Sequence, residues 1–316
     1  MRLLLSSVLL GLAWFAAVNA AASLVAWGLG RFLCRRAEPP GAGVVLAVRL
    51  LPAAVSSVFV LAVFLPTHWR LEPAEADESL GFVLGALAAA GFCLTIRSAW
   101  RASQSGLAGH RFAVALRRAA QSAQGEVLEL GGLPGVSLAG IWRPRIVIGP
   151  DARMALTPEE LDLAISHEVA HRRSRDNLKR FLMYAAPDMF GWTRVAQQLE
   201  DRWQAEAECE ADADAVRGDG DRAAVLASAL VKVARLATGT GLHPVSPVWT
   251  SSAFHVPTLL ELRVRRLLDG TLPPVAARRL GWSSVMLSMS VAAVLWLAGF
   301  SDTLHTFTEA LVTRLP

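Results

Sequence analysis

Four long apolar runs constrain this chain more than any other feature. The first extends from Leu3 to about Leu33, the second from Val44 to Leu65, the third from Leu80 to Ile96 and the fourth from Leu280 to Phe300. A helix needs about 20 apolar residues to cross the hydrocarbon core of a bilayer. The first, second and fourth runs meet that length. The third is rich in Gly and Ala and reaches Trp100 when Arg97 snorkels toward the headgroups. Trp27, Trp69, Trp100 and Trp282 fall near the ends of these runs, where interfacial aromatics settle. The composition agrees, with 53% hydrophobic and 18% charged residues, where soluble domains average roughly 25% charged. A disordered or collagen-like chain is excluded, and a purely soluble enzyme is disfavoured because the apolar excess must be buried.

The segment Val18-Asn19-Ala20 has the small-residue character of a signal-peptide cleavage site. The apolar run continues past it, however, and Arg31, Arg35 and Arg36 follow, so a retained span is expected. Three transmembrane helices are therefore expected within residues 1–100, at about 3–33, 44–66 and 80–100, and a fourth at 280–300. The loop between the first two runs is credited with Arg31, Arg35, Arg36 and Arg49 against Glu38, and the loop after the second carries Glu72, Glu75, Asp77 and Glu78 against Arg70. The segment after the third opens with Arg97, Arg101, Arg111, Arg117 and Arg118. The positive-inside rule then predicts that the first loop and the long region 101–279 are cytoplasmic. A short external tail, 301–316, completes the layout of a multi-pass protein of a bacterial-type inner membrane.

A net charge of +4 is too mild, and too little clustered, to argue for direct nucleic-acid binding. The three cysteines, Cys34, Cys93 and Cys209, show no CxxC or regular spacing, so neither a disulfide framework nor a thiolate metal site is indicated.

Residues 101–279 read as a compact α+β domain, mainly helical with a small sheet. Phe112 to Ala123 has the pattern of a basic amphipathic helix. Glu126 to Leu130, Val136 to Ile141 and Arg145 to Ile148 read as short strands, and Gly149-Pro150 ends that pattern. Thr157-Pro158-Glu159-Glu160 then supplies an N-cap, a proline at the first helical position and a glutamate at the third. The helix it starts carries Ser166-His167-Glu168-Val169-Ala170-His171.

His167 and His171 stand at i and i+4, one above the other on a helix face. Both imidazoles can reach one ion with Zn–N bonds of about 2.0 Å. Glu168, one residue on, points beside such an ion rather than at it and can take the proton of an attacking water. This is the HExxH arrangement, which implies Zn2+ as cofactor. A third ligand is expected on the acidic helical stretch Glu206 to Asp214. Glu208 with Asp212 and Glu210 with Asp214 both give E-x-x-A-D. Glu208 is favoured, with Asp212 as the acceptor that holds a ligand imidazole in register.

The run Leu156-Thr157-Pro158-Glu159-Glu160-Leu161, the motif His167 to His171 and the following Arg172-Arg173-Ser174-Arg175-Asp176-Asn177-Leu178 together resemble the BlaR/MecR-type integral-membrane zinc metallopeptidases. The preceding Gly140-Ile141-Trp142-Arg143-Pro144-Arg145-Ile146-Val147-Ile148 is similar to that family's strand before the zinc helix. The resemblance covers about residues 125–236. More distantly, the chain is similar to the HtpX and CAAX-prenyl-protease types. The resemblance implies a gluzincin-like fold, His167, His171 and Glu208 as zinc ligands, and Glu168 as catalytic base. It also implies hydrolysis of a protein or peptide substrate, with a transcriptional repressor as one such substrate. About sixteen residues follow Phe300 and contain no Ser-x-x-Lys motif, so β-lactam sensing is not expected here.

The segment Pro257 to Leu268 resembles the helix near the end of the related peptidase domains, where a His and an Arg precede the close, which implies His255 and Arg263 as candidates for stabilising the oxyanion; its own pattern is that of a basic amphipathic helix. Asp176 is expected to cap a helix or to pair with Arg172 or Arg173. The broken apolar segment Phe181 to Trp192 is too short to cross a bilayer and is expected at its surface or beneath the site. The leading expectation is a zinc endopeptidase embedded in the bilayer and acting in regulated proteolysis. The rival readings are a quality-control protease of the HtpX type and a non-catalytic signalling scaffold.

Overall fold

The computed structural model describes residues 2–36, 40–71, 81–119, 127–131, 133, 135–239 and 257–272, together with 303, 306–308 and 310. It is mostly helical with one small sheet. The expected fourth span at 280–300 and His255 lie outside the described residues. The chain divides into two compact units, residues 1–101 with 185–200 and 280–316, and residues 102–184 with 201–279.

The first unit is built on α1 (Arg2–Arg35), α2 (Ala42–Val58), a π-helical stretch at Phe59–Phe64, α3 (Leu65–Leu71) and the beginning of α4 (Phe82–Ala119). Three helical segments, Leu4–Arg35, Ala42–Arg70 and Phe82–Phe112, are long and apolar enough to cross a membrane. They pack through Leu10, Ala13, Phe59, Val63, Phe64, Leu84 and Ala88. A side chain at Gly91 would overlap the Leu12 carbonyl oxygen, so glycine there lets two helix backbones approach closely.

Polar groups in this unit are gathered rather than scattered. Arg49 pairs with Asp188 at 3.0 Å and with Glu200 at 2.8 Å. Ser23 donates to Asp188 at 2.8 Å, Asn19 donates to the Pro187 carbonyl at 3.0 Å, and Arg97 donates to the Asp188 carbonyl at 2.9 Å. Asn19 also accepts the Met189 N–H and donates to Ser56. The segment 185–200 is therefore fastened by hydrogen bonds among the membrane-competent helices, a firmer seat than a surface contact.

The second unit contains β1 (Val127–Glu129), β2 (Val136–Ala139) and β3 (Arg145–Ile148), then α5 (Pro150–Ala155), α6 (Pro158–Ser174), α7 (Asp176–Ala185), α8 (Arg194–Val216), α9 (Gly220–Gly239) and α10 (Pro257–Leu268). Residues 185–200 of α7 and α8 belong to the first unit. The sheet order is β1-β3-β2, with β1 parallel and β2 antiparallel to β3. Alternation along the strands divides the side chains between two faces. Val136, Leu138, Ile146 and Ile148 join Ala164 of α6 and Ala229 of α9 in the main core. Leu128, Ala139 and Val147 form a smaller cluster on the other face, covered by Phe112 of α4.

The three expected strands are present, each within two residues of its expected bounds. Of the basic helix expected at Phe112 to Ala123, residues 120–123 lie outside the described residues, and residues 112–119 form the end of α4, which runs without a break from Phe82. Its hydrogen-bond ladder is internal, so leaving an apolar environment does not require the helix to stop.

Candidate metal centre

Helix α6 starts where the residues dictate. Thr157 Oγ1 accepts the Glu160 N–H at 3.2 Å and Glu160 returns the bond to the Thr157 N–H at 2.8 Å, with Pro158 at the first helical position. Glu160 also accepts from Ser228 at 2.7 Å and Lys232 at 2.8 Å, which ties this cap to α9. The helix buries Leu163, Ala164, His167, Glu168, Ala170 and His171 and ends at Arg175 in a left-handed conformation, φ 55°. That reversal starts α7 and turns Asp176 back toward the helix it follows.

The two imidazoles meet as the i, i+4 spacing requires, with their Nε2 atoms 3.1 Å apart. Glu208 of α8 brings Oε2 to 3.3 Å from His167 Nε2 and 3.6 Å from His171 Nε2. All three side chains are buried. Each imidazole is held from behind by a carboxylate. Asp212 Oδ1 lies 2.9 Å from His167 Nδ1, and Asp176 Oδ2 lies 2.7 Å from His171 Nδ1. Glu208 and Asp212 share a helix face because they too stand at i and i+4. Glu210 falls outside this group, and Asp214 pairs with Arg173 at 2.9 Å.

Arg263 of α10 is 1% exposed. It grips Asp212 with two hydrogen bonds, of 2.8 Å and 2.7 Å, and stands 3.1 Å from Glu208 Oε2. Its guanidinium is thus committed to two carboxylates. In this placement Arg263 clasps the carboxylates around the imidazoles, and its Nη2 stands 3.4 Å from His167 Nε2.

The electrostatics follow from this packing. Burial disfavours the charged carboxylates, yet the Arg263 guanidinium and His167 hold Asp212 down at about 2. Burial is likewise outweighed at Glu208, where His171 and Arg263 keep the carboxyl well below its ordinary range. Burial also opposes a charged imidazole, but Glu208 and Asp176 raise His171 from its ordinary 6.5 to about 10. Cys209 is buried beside Arg266, and burial pushes its thiol up to about 11, which suits a packed side chain.

The donor set fits a divalent cation. His171 Nδ1 lies 2.7 Å from Asp176 and His167 Nδ1 lies 2.9 Å from Asp212, so the two Nε2 atoms face one another, with Arg263 Nη2 3.4 Å from that of His167. Nitrogen ligands bound tetrahedrally to zinc at about 2.0–2.1 Å lie roughly 3.3 Å apart, close to the 3.1 Å separation found. Glu208 Oε1 is buried and has no hydrogen-bond partner among the described residues.

The structure therefore brings together His167, His171, Glu208, Asp212 and Arg263, and places Glu168 on the same helix, 1% exposed. The pairing of Asp176 with His171 was not expected. Its only signal in the sequence is a carboxylate just beyond the end of the histidine helix. No protein-family model, curated protein or solved structure matches the chain.

Proposed function

We propose that this chain is a membrane-embedded zinc-dependent endopeptidase of the BlaR/MecR type, with a gluzincin-like domain at 101–279 and four membrane spans. The observation that carries the reading is the convergence of His167, His171 and Glu208, with a carboxylate one residue after the first histidine. These three side chains would hold Zn2+, which, when bound, supplies Lewis-acid polarisation of a peptide carbonyl and acidification of water. Glu168 takes the proton of the attacking water on its carboxylate and delivers it to the departing amine nitrogen. Asp176 accepts the Nδ1 proton of His171, and Asp212 stands 2.9 Å behind His167 Nδ1, so the two carboxylates orient the rings and keep Nε2 basic. Arg263 holds Asp212 and Glu208 in place and offsets part of their charge. The domain faces the cytoplasm of a bacterial-type inner membrane and cuts a cytosolic or membrane-associated protein, a transcriptional repressor being one candidate substrate.

The test compares wild type with Glu168→Gln. Purified Glu168→Gln is expected to keep one zinc per chain, while cleavage falls by about 10²–10⁴-fold, the range for loss of a general base. Comparing protein termini in cells carrying each form identifies the substrate. One cleaved DNA-binding regulator supports the signalling role, and broad membrane-protein fragments replace it with quality control. Full cleavage by Glu168→Gln, or no zinc in the wild type, would overturn the peptidase reading.

A further inference from the structure

The sheet face opposite α6 borders a cleft of about 410 Å³, within the roughly 300–1,000 Å³ typical of ligand sites. Its apolar wall comes from Phe112 of α4, Leu128 of β1 and Ile141. The side chains of His110, Arg143 and Arg145 contribute positive or protonatable groups, and the lining includes no carboxylate. None of these three is engaged in an ion pair among the described residues. The indole of Trp142 also lines the cleft, is 72% exposed and rests edge-on against Phe181. A side chain placed at Gly106 would meet nothing within 4 Å, so the cleft is open along α4.

The position along the chain narrows the occupant. Gly106 to Phe112 closes the apolar segment Phe82–Phe112, which is 31 residues long. About 20 residues suffice for the hydrocarbon core. Counted from Phe82 they end at Arg101, one turn beyond Arg97, the first charge on the helix. On this count the α4 wall of the cleft, Gly106 to Phe112, comes just past the point where a crossing helix leaves hydrocarbon, at the level of lipid headgroups. A small soluble anion would satisfy the basic groups but leave the half-buried ring of Phe112 and the apolar part of the cleft volume unfilled. A neutral lipid would cover the apolar wall but leave the arginines without a counter-charge. An exposed indole is also the side chain that favours the headgroup layer.

We propose that this cleft is a binding site for one anionic phospholipid, with its acyl chain against Phe112, Leu128 and Ile141 and its phosphate against Arg143, Arg145 and His110. The site lies on the sheet face away from the histidine helix and does not depend on the peptidase reading.

The test uses the full chain in nanodiscs of phosphatidylcholine containing a minor fraction of phosphatidylglycerol. Bromine is placed on the acyl chains of one lipid at a time, and Trp142→Phe isolates the Trp142 fluorescence. Brominated phosphatidylglycerol is expected to quench Trp142 several-fold more than the same fraction of brominated phosphatidylcholine. The Arg143→Gln/Arg145→Gln double variant should erase that preference and keep its metal content. Gly106→Leu, which fills the cleft without touching a charge, should erase it too and covers the case of a double variant that does not fold. Equal quenching by the two lipids in wild type, no quenching of Trp142, or a preference that survives Gly106→Leu would overturn the proposal.

Discussion

Two buried charge clusters, one in each unit, have opposite characters. Around Arg49 the charges close on themselves. One guanidinium meets Asp188 and Glu200, Arg97 caps the Asp188 carbonyl, and Ser23 takes a carboxylate oxygen. Around His167 and His171 the donors converge instead. Two imidazole nitrogens and a carboxylate oxygen stand within 3.6 Å of one another, and Glu208 Oε1 is left over. Buried charge is tolerated when it is paired and hydrogen-bonded. The first cluster meets that condition with its own side chains, whereas the second leaves Glu208 Oε1 without a hydrogen-bond partner among the described residues. Burial alone does not mark a site; unspent acceptor capacity does.

The largest effects should separate these cases. Asp188→Ala leaves Arg49, 3% exposed, without its buried partner and should cost about 3–5 kcal/mol, equally with and without divalent metal. Arg263→Ala should cost a similar amount in chelated protein, because Asp212 and Glu208 both lose their guanidinium. Added zinc should restore part of that loss and none of the Asp188→Ala loss. Thermal unfolding in detergent, with chelator and with zinc, measures both. Equal metal dependence of the two variants would erase the distinction.

The pH dependence sharpens the comparison next. His171 is raised from 6.5 to about 10. Its contribution in chelated protein is therefore complete below pH 6.5 and is lost as pH climbs toward 10. Asp212 is lowered from 3.8 to about 2, so its contribution is present above pH 3.8 and lost as pH falls toward 2. Chelated protein should be most stable between these limits. Metal binding requires deprotonated imidazole, so the stabilisation by zinc should grow from pH 6 to pH 9. A zinc increment that shrinks over that range would contradict the assigned ligands. Asp212→Asn, which keeps the shape but weakens the acceptor behind His167, should lower zinc affinity by about 10–100-fold, read by competition with a metal indicator.

What could be read in the sequence was what is local. The cap at Thr157, the strand at Arg145–Ile148, the histidine pair and the shared face of Glu208 and Asp212 all follow from spacings of a few residues. Glu208 and Glu210 offer the same pattern, and it is the three-dimensional grouping with His167 and His171 that separates the favoured Glu208 from Glu210. Asp188 and Arg49 are far apart in the chain, and no periodicity links them. Asp176 reaches His171 only because Arg175 takes a left-handed turn. The basic run around Arg263 does not reveal from its composition that Arg263 is buried, 1% exposed, while Arg265 on the same helix is exposed.

The smallest predicted effect tests the most legible element. Thr157→Ala removes the acceptor for the Glu160 N–H and leaves the reciprocal bond from Glu160 to the Thr157 N–H in place. Loss of such a cap costs about 1 kcal/mol. The Glu160 carboxylate remains anchored by Ser228 and Lys232, so the first turn should stay docked on α9. His167 lies more than two turns further along α6, beyond the reach of fraying at the first turn. A drop of about 1 kcal/mol in thermal stability with zinc affinity unchanged is therefore expected. A matching loss of zinc affinity would mean that the cap sets the register of the histidine pair, and that the cluster in this unit is less self-supporting than the one around Arg49.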